Sequence, residues 1–370
     1  MSNTRADIVV VGGGVIGLVV AWRIAQLGMS VIVIERDPAP RGASWVAAGM
    51  LAPVSESNFG EEHLLRLTLE SARRYPLFLE ELAQSSNVDI DVSVAGSLHV
   101  ALSRDHNEAL RRLLDFFLEA ALEVEWLDAE ACRKLEPMLD PSVQSGMLAP
   151  SESAVDPRQL LEALTVAFIK AGGTIHSGDA VTRVDTGKVT LQTGEAILAD
   201  LVILCAGAAS ATIDGVPEEV RRALRPVKGQ ILRLRDRRGP PPISRTVVTE
   251  DVYLVPRKHG ELVVGATVEE HGDTLVTAGG VFELLRAAQE VLPGTREMEL
   301  AETSAASRPG TPDNAPLIGP TSIEGVIAAV GHYRNGILLA PVTGDYVAQL
   351  IAKDEVPSEM VPFSPLRFKS

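Results

Sequence analysis

Near its start the chain carries DIVVVGGGVIG, and this run constrains the fold more than any other feature. The stretch from Asp7 to Val11, four of its five residues apolar, reads as a buried strand. Gly12, Gly14 and Gly17 then fall on the G-x-G-x-x-G spacing, and the residues from Val15 to Leu27 follow helical periodicity. Gly12 permits a tight turn, Gly14 lets backbone approach a pyrophosphate, and Gly17 lets the helix pack closely on the sheet. The free N–H groups and the positive dipole end of the helix then face the phosphates. A second strand, Ser30 to Glu35, ends on an acid about 20 residues further on, placed to accept from ribose hydroxyls. The unit predicts a dinucleotide-binding βαβ fold, and by itself leaves NAD and FAD both open.

With 370 residues, 46% of them hydrophobic, the chain has length and apolar content for two domains. Further helices are predicted for Glu61 to Ser85, Arg104 to Ala121 and Pro157 to Ala171, the last capped by Asp156 and stopped at Gly172-Gly173. A buried strand, Leu201 to Leu204, runs into CAGAAS; an antiparallel hairpin from Thr246 to Thr267 turns at Lys258-His259-Gly260. The end returns to strand, glycine loop (GHYRNG) and helix. The predicted class is α/β (α+β overall), a Rossmann-type FAD-binding domain with an inserted antiparallel-sheet substrate domain. The cofactor domain is assigned 1–84, 150–222 and 310–370, and the substrate domain 85–149 and 223–309.

A net charge of −15 without any basic run argues against nucleic acid or an anionic membrane surface as partner. No apolar run reaches the roughly 18 residues of a membrane span, and the glycine-broken N-terminus does not read as a secretory leader, so a cytoplasmic protein is expected. Cys132 and Cys205 show no metal or disulfide spacing, and the histidines form no ligand pattern, so no metal site is expected.

Two later segments favour FAD over NAD. In DLVILCAGAAS a buried strand ends at Gly207, and in GVIAAVGHYRNGILLAPVTG a strand and glycine loop feed the last helix. That helix would aim its positive end at the ring system where a reduced flavin accumulates negative charge. Arginine is the side chain suited to an amino-acid carboxylate, which it grips through two parallel hydrogen bonds. Arg308, before the turn PGTPDN, stands at a loop-like place that suits either such recognition or a surface ion pair. Tyr253, in the middle of a strand, is either a donor to the same group or a half-buried strand tyrosine.

At this point the chain resembles the D-amino-acid oxidase superfamily, and within it the bacterial glycine oxidases of thiamine synthesis. The segments SWVAAGMLAP, RPVKGQ, VYLVPRKHGELVVGAT, SRPGTPDNAPLIG and GHYRNGILLAPVTG carry the resemblance, which runs almost the whole length. It implies that Val15, Ile16, Glu35 and Arg36 flank the ADP portion of FAD, and that Ala43, Ser44, Ala48, Gly49 and Met50 lie along the pyrophosphate and ring. Val181 would meet the adenine end, and His332, Tyr333, Arg334, Asn335, Gly336, Ile337 and Leu338 would line the isoalloxazine. Tyr253, Arg308 and Arg334 match substrate-binding positions, although for Arg334 a role confined to the cofactor loop stays open. His332 is read as shaping that loop rather than as a base.

The sequence departs from the family where Ala208-Ala209-Ser210 follow Gly207, a place usually held by tryptophan. Related sarcosine oxidases attach flavin to a cysteine before the TPD turn; ETSAASRPGTPD has none, so FAD is expected to be non-covalent. No protein general base is called for, because the flavin supplies the electronics. The implied activity is oxidation of glycine with dioxygen to glyoxylate or its imine, ammonia and peroxide, in a homotetramer, with thiazole synthase as a possible recipient. A D-amino-acid or sarcosine oxidase, a dehydrogenase with another electron acceptor, and a non-catalytic flavin-binding module remain open from sequence.

Overall fold

The computed structural model describes residues 4–38 and 41–369; the outer limits 1 and 370 of the predicted domains lie outside these. Strand β1 (Thr4–Val11) leads through the glycine turn into helix α1 (Val15–Ala25), which leads into strand β2 (Val31–Glu35). β1 is the middle of a parallel core, with β2 on one side and strand Ala196–Leu204 on the other. Thr174–Ser177 extends this core beyond β2, and Val326–Val330 extends it beyond Ala196–Leu204, both in parallel. In α1 every residue but Arg23 is buried, so the helix is apolar all round. It is covered by helices Pro157–Lys170 and Ala340–Lys353, the former capped by Asp156 as expected.

A second sheet of eight strands takes all its strands from residues 97–149 and 225–310. It was expected to be antiparallel, and one pairing departs from this: Thr246–Val248 runs parallel to Ser97–Ala101. These two strands come from distant segments, so no hairpin dictates their direction. The predicted hairpin is in fact three strands, Thr246–Val248, Tyr253–Pro256 and Glu261–Gly265, because a second turn intervenes at Thr249–Val252.

The two longest strands of this sheet, Arg225–Arg235 and Glu299–Gly310, pair along their whole length and were not predicted as strands. Pro, Lys, Gly and Gln interrupt the apolar pattern of the first, and ETSAAS is nearly all small or polar in the second. Arg308 therefore stands in a strand opposite Val227, which corrects the loop position expected for it. Tyr253 opens its strand rather than lying mid-strand. Among the described residues no helix is long and apolar enough to cross a membrane.

Candidate active site

The carboxyl ends of the parallel strands open into a cavity of about 1070 Å³ that extends from Glu35 and Val181 to Tyr253 and Arg308. Drug-sized ligand sites commonly occupy about 300–1,000 Å³, so this one has room for a dinucleotide and a small second ligand. At the glycine turn, Gly12 has φ +107°, and a Cβ there would stand 2.7 Å from Cys205 O. A Cβ on Gly17 would overlap Gly12 O, so this glycine sits behind the turn and sets the helix–loop distance without lining the cavity. Gly14 is the N-cap of α1 and offers no capping side chain, leaving the helix end open to a phosphate. Glu35 Oε2 accepts from Gly13 N at 2.6 Å, and Oε1 from Asp37 N at 3.1 Å, which fixes its carboxylate at the end of β2.

Gly14, Val15, Ile16, Glu35, Arg36, Ala43, Ser44, Ala48, Gly49, Met50, Val181 and Gly207 all line the cavity. Ser44 Oγ accepts from Val15 N at 3.0 Å and ties the second cofactor segment to the first helix. The Ala48–Met50 turn is held by Arg257, a buried side chain that the sequence reading did not single out. Its Nη2 donates to Ala48 O and, at 2.8 Å, to Val155 O. Ala208 and Ala209 lie in the 3-10 turn Gly207–Thr212 on the cavity wall, where the absent tryptophan would have added bulk.

Across the cavity, His332 and the loop through Ile337 form the opposite wall. Leu338 does not line it: the side chain is buried in the core beneath, and its carbonyl accepts from Ser71 Oγ at 2.5 Å. His332 is 3% exposed, with Nε2 3.0 Å from Thr343 Oγ1. Burial pushes its imidazole down to about 3, so it is neutral at working pH. The stability this neutral imidazole represents is complete above the ordinary histidine value of 6.5 and is lost as pH falls from there toward about 3. His332→Gln should leave the acidic limb of the kcat/KM–pH profile in place; a limb that moved with the substitution would assign His332 a proton-transfer role.

At the far end, Tyr253 and Arg308 are each lodged against a glycine of a neighbouring strand. Tyr253 lies across Gly265, its cross-strand partner, where a Cβ would stand 2.5 Å from the hydroxyl. The Arg308 guanidinium lies over Gly229, where a Cβ would overlap it, and its Nη1 donates to Thr267 O at 3.1 Å. Glycine inside a strand often marks such a close approach, and this was the available signal for both positions. Burial pushes the Tyr253 phenol up to about 12 against the opposing pull of Arg308, so it keeps its proton and can donate it in a hydrogen bond.

Arg334 is more exposed, stacks on Tyr333 with 5.0 Å to the ring centroid, and has Glu56 Oε2 3.9 Å away. A rim loop carrying Val268, Gly272 and Thr274 is tied down by Lys228, whose Nζ lies 3.3 Å from Glu269 and 2.9 Å from Asp273. Cys205 touches the cavity, but burial drives its thiol well above the ordinary range and suppresses the nucleophilic thiolate.

The glycine cradle, the open helix end and the length of the cavity all fit an FAD. The family model for FAD dependent oxidoreductases, DAO, matches residues 7–350. The chain is 32% identical over 371 residues to glycine oxidase of Geobacillus kaustophilus (strain HTA426), covering 98% of this chain and 97% of that protein. It is 34% identical to the bifunctional protein ThiO/ThiG of Synechocystis sp., with 99% of the chain spanning 54% of that longer protein. The crystal structure of the Geobacillus kaustophilus glycine oxidase superposes with a TM-score of 0.91 at 30% identity, over 99% of both chains. By its sequence, its fold and the cavity at its strand ends, this chain belongs to the DAO family of FAD-dependent oxidoreductases.

Proposed function

We propose that this enzyme oxidises glycine with dioxygen to iminoglycine and hydrogen peroxide, and that water converts the imine to glyoxylate and ammonia. The observation that carries the reading is the convergence of Arg308 and Tyr253, each seated on a glycine, in the same cavity as the dinucleotide cradle. The similarity to glycine oxidases over the full length of both chains supports it.

The turn at Gly12 and Gly14, with Glu35, Ser44 and the 48–50 segment, would hold FAD non-covalently, and the loop from His332 would form the wall beside its ring. Bound there, FAD accepts the substrate's electron pair and passes it to dioxygen. The chain itself binds and orients. Arg308 takes the carboxylate through its guanidinium edge, while the protonated Tyr253 hydroxyl donates to the same group. Fixing these atoms turns the Cα–H toward the cofactor and lowers the entropic part of the barrier. His332, held neutral, places no extra positive charge beside the substrate amine.

Tyr253→Phe should lower kcat/KM for glycine roughly tenfold to a hundredfold, the usual range for one hydrogen bond to a charged group, with FAD retained. The activity itself is tested by a peroxide assay on the purified flavoprotein with glycine, sarcosine and D-alanine. Glycine should give the highest kcat/KM. Peroxide from none of them would remove the oxidase reading, and an anaerobic flavin that stays yellow with every amine would leave only a binding module.

The same reading divides the chain into a cofactor domain of 1–84, 150–222 and 310–370 and a substrate domain of 85–149 and 223–309. It places the enzyme in the cytoplasm as a homotetramer, with the mass in solution as the check. The ThiO/ThiG fusion supports an extension in which the imine passes to thiazole synthase before it hydrolyses.

A further inference from the structure

We infer that Glu56 sets the charge class of the substrate, reserving this site for amino acids with one anionic group and turning away those with two. The inference rests on the reading that Arg308 holds the substrate carboxylate. Glu56 lines the same cavity as Arg308 and Arg334, with its side chain 23% exposed and Oε2 3.9 Å from Arg334 Nη1. Burial holds its carboxyl above the ordinary carboxylate range, and Arg334 and then Arg308 oppose that shift, each favouring the charged form.

The segment that leads into Glu56 is held by a buried network. Glu152, 1% exposed, accepts from Val54 N at 3.0 Å and Ser55 N at 2.7 Å with one oxygen, and from Ser55 Oγ with the other. The same Ser55 hydroxyl lies 2.6 Å from Nε2 of the buried His99. The residue before Glu56 is thus fixed, which sets the backbone from which the Glu56 side chain reaches the cavity wall.

The consequence is one of charge matching. Two guanidiniums serve this end of the cavity, and Glu56 offsets one of them. Arg308 is left for a ligand, which suits a substrate with a single carboxylate. A second carboxylate would find Arg334 already paired with Glu56 and would meet that like charge, which disfavours it. The substrate class assigned is therefore monocarboxylic α-amino acids, with exclusion of N-carboxyalkyl glycines and acidic D-amino acids.

The test compares wild type, Glu56→Gln and Glu56→Asp as FAD-loaded enzymes on glycine and on iminodiacetate, which is glycine with a second carboxylate arm. Glu56→Gln should lower the glycine-to-iminodiacetate ratio of kcat/KM by at least about tenfold, and Glu56→Asp should keep it within about twofold of wild type. Malonate and acetate titrations followed by flavin absorbance read the same preference without turnover, and Glu56→Gln should tighten malonate relative to acetate. An unchanged ratio in both measurements, or an equal shift in Glu56→Asp, would overturn the inference. If the wild type turned over no amino acid, the proposed function would fall while the titrations still decided the charge filter.

Discussion

Arg308→Ala is expected to lower kcat/KM for glycine by about 30- to 5,000-fold while FAD stays bound, matching the roughly 2–5 kcal/mol lost when one partner of a buried charge pair is removed. The side chain is placed for carboxylate recognition by its strand: the backbone pairs with Val227, and the guanidinium crosses to lie over Gly229. Its Nη1 donates to a backbone carbonyl, Thr267 O, and the guanidinium also bonds the Tyr253 side chain, so the fork and the phenol serve a carboxylate together. Most of the loss should appear in KM, because carboxylate binding is present in ground and transition states alike. Gly229→Ala offers a second route to the same result, since a Cβ there would displace the guanidinium. The two substitutions should be strongly non-additive, because each removes the same contact. Steady-state peroxide kinetics with flavin absorbance checks both, and an Arg308→Ala enzyme with unchanged glycine kinetics would remove Arg308 from substrate binding.

The second large effect belongs to Gly17. In Gly17→Ala the new methyl meets Gly12 O, a backbone atom that cannot rotate away. α1 and the turn must separate, which moves the helix end from the place where backbone N–H groups meet the pyrophosphate. α1 is buried on nearly every side by Pro157–Lys170 and Ala340–Lys353, so the strain spreads into the core instead of being relieved at a surface. FAD affinity should weaken by at least about a hundredfold, the equivalent of losing one or two hydrogen bonds to a charged group. Fluorescence titration of the apoprotein with FAD measures this, and circular dichroism separates loss of binding from loss of fold. Wild-type affinity in Gly17→Ala would show that the glycine serves no close approach.

The cofactor half was legible because its signals are local. Strand, glycine turn, helix and Glu35 follow one another within about 30 residues, and a βαβ unit of that length closes on itself with little choice of topology. The helix starting at Pro157 could be read from a capping aspartate and a stopping glycine pair for the same reason. The substrate half was read less well. Its two longest strands are stabilised by pairing with each other, so neither needs strong strand propensity of its own, and KGQ and ETSAAS passed as irregular. That is why Arg308 was expected in a loop.

Glu56 and Arg257 left no usable trace in sequence, since a glutamate in SESN and an arginine in PRKHG look like surface charge. Only packing shows that one stands beside Arg334 in the cavity and the other is buried against the backbone of Ala48 and Val155. The sequence by itself determined the dinucleotide cradle through short-range spacing, the FAD family through a resemblance spread over the chain, and the types of side chain available for a carboxylate through residue chemistry. The tertiary structure alone decided how Tyr253 and Arg308 come together over Gly265 and Gly229 and how Glu56 is set beside Arg334. Residues from about ten to nearly three hundred positions apart meet there, and their meeting depends on strand register and burial, which no local pattern encodes.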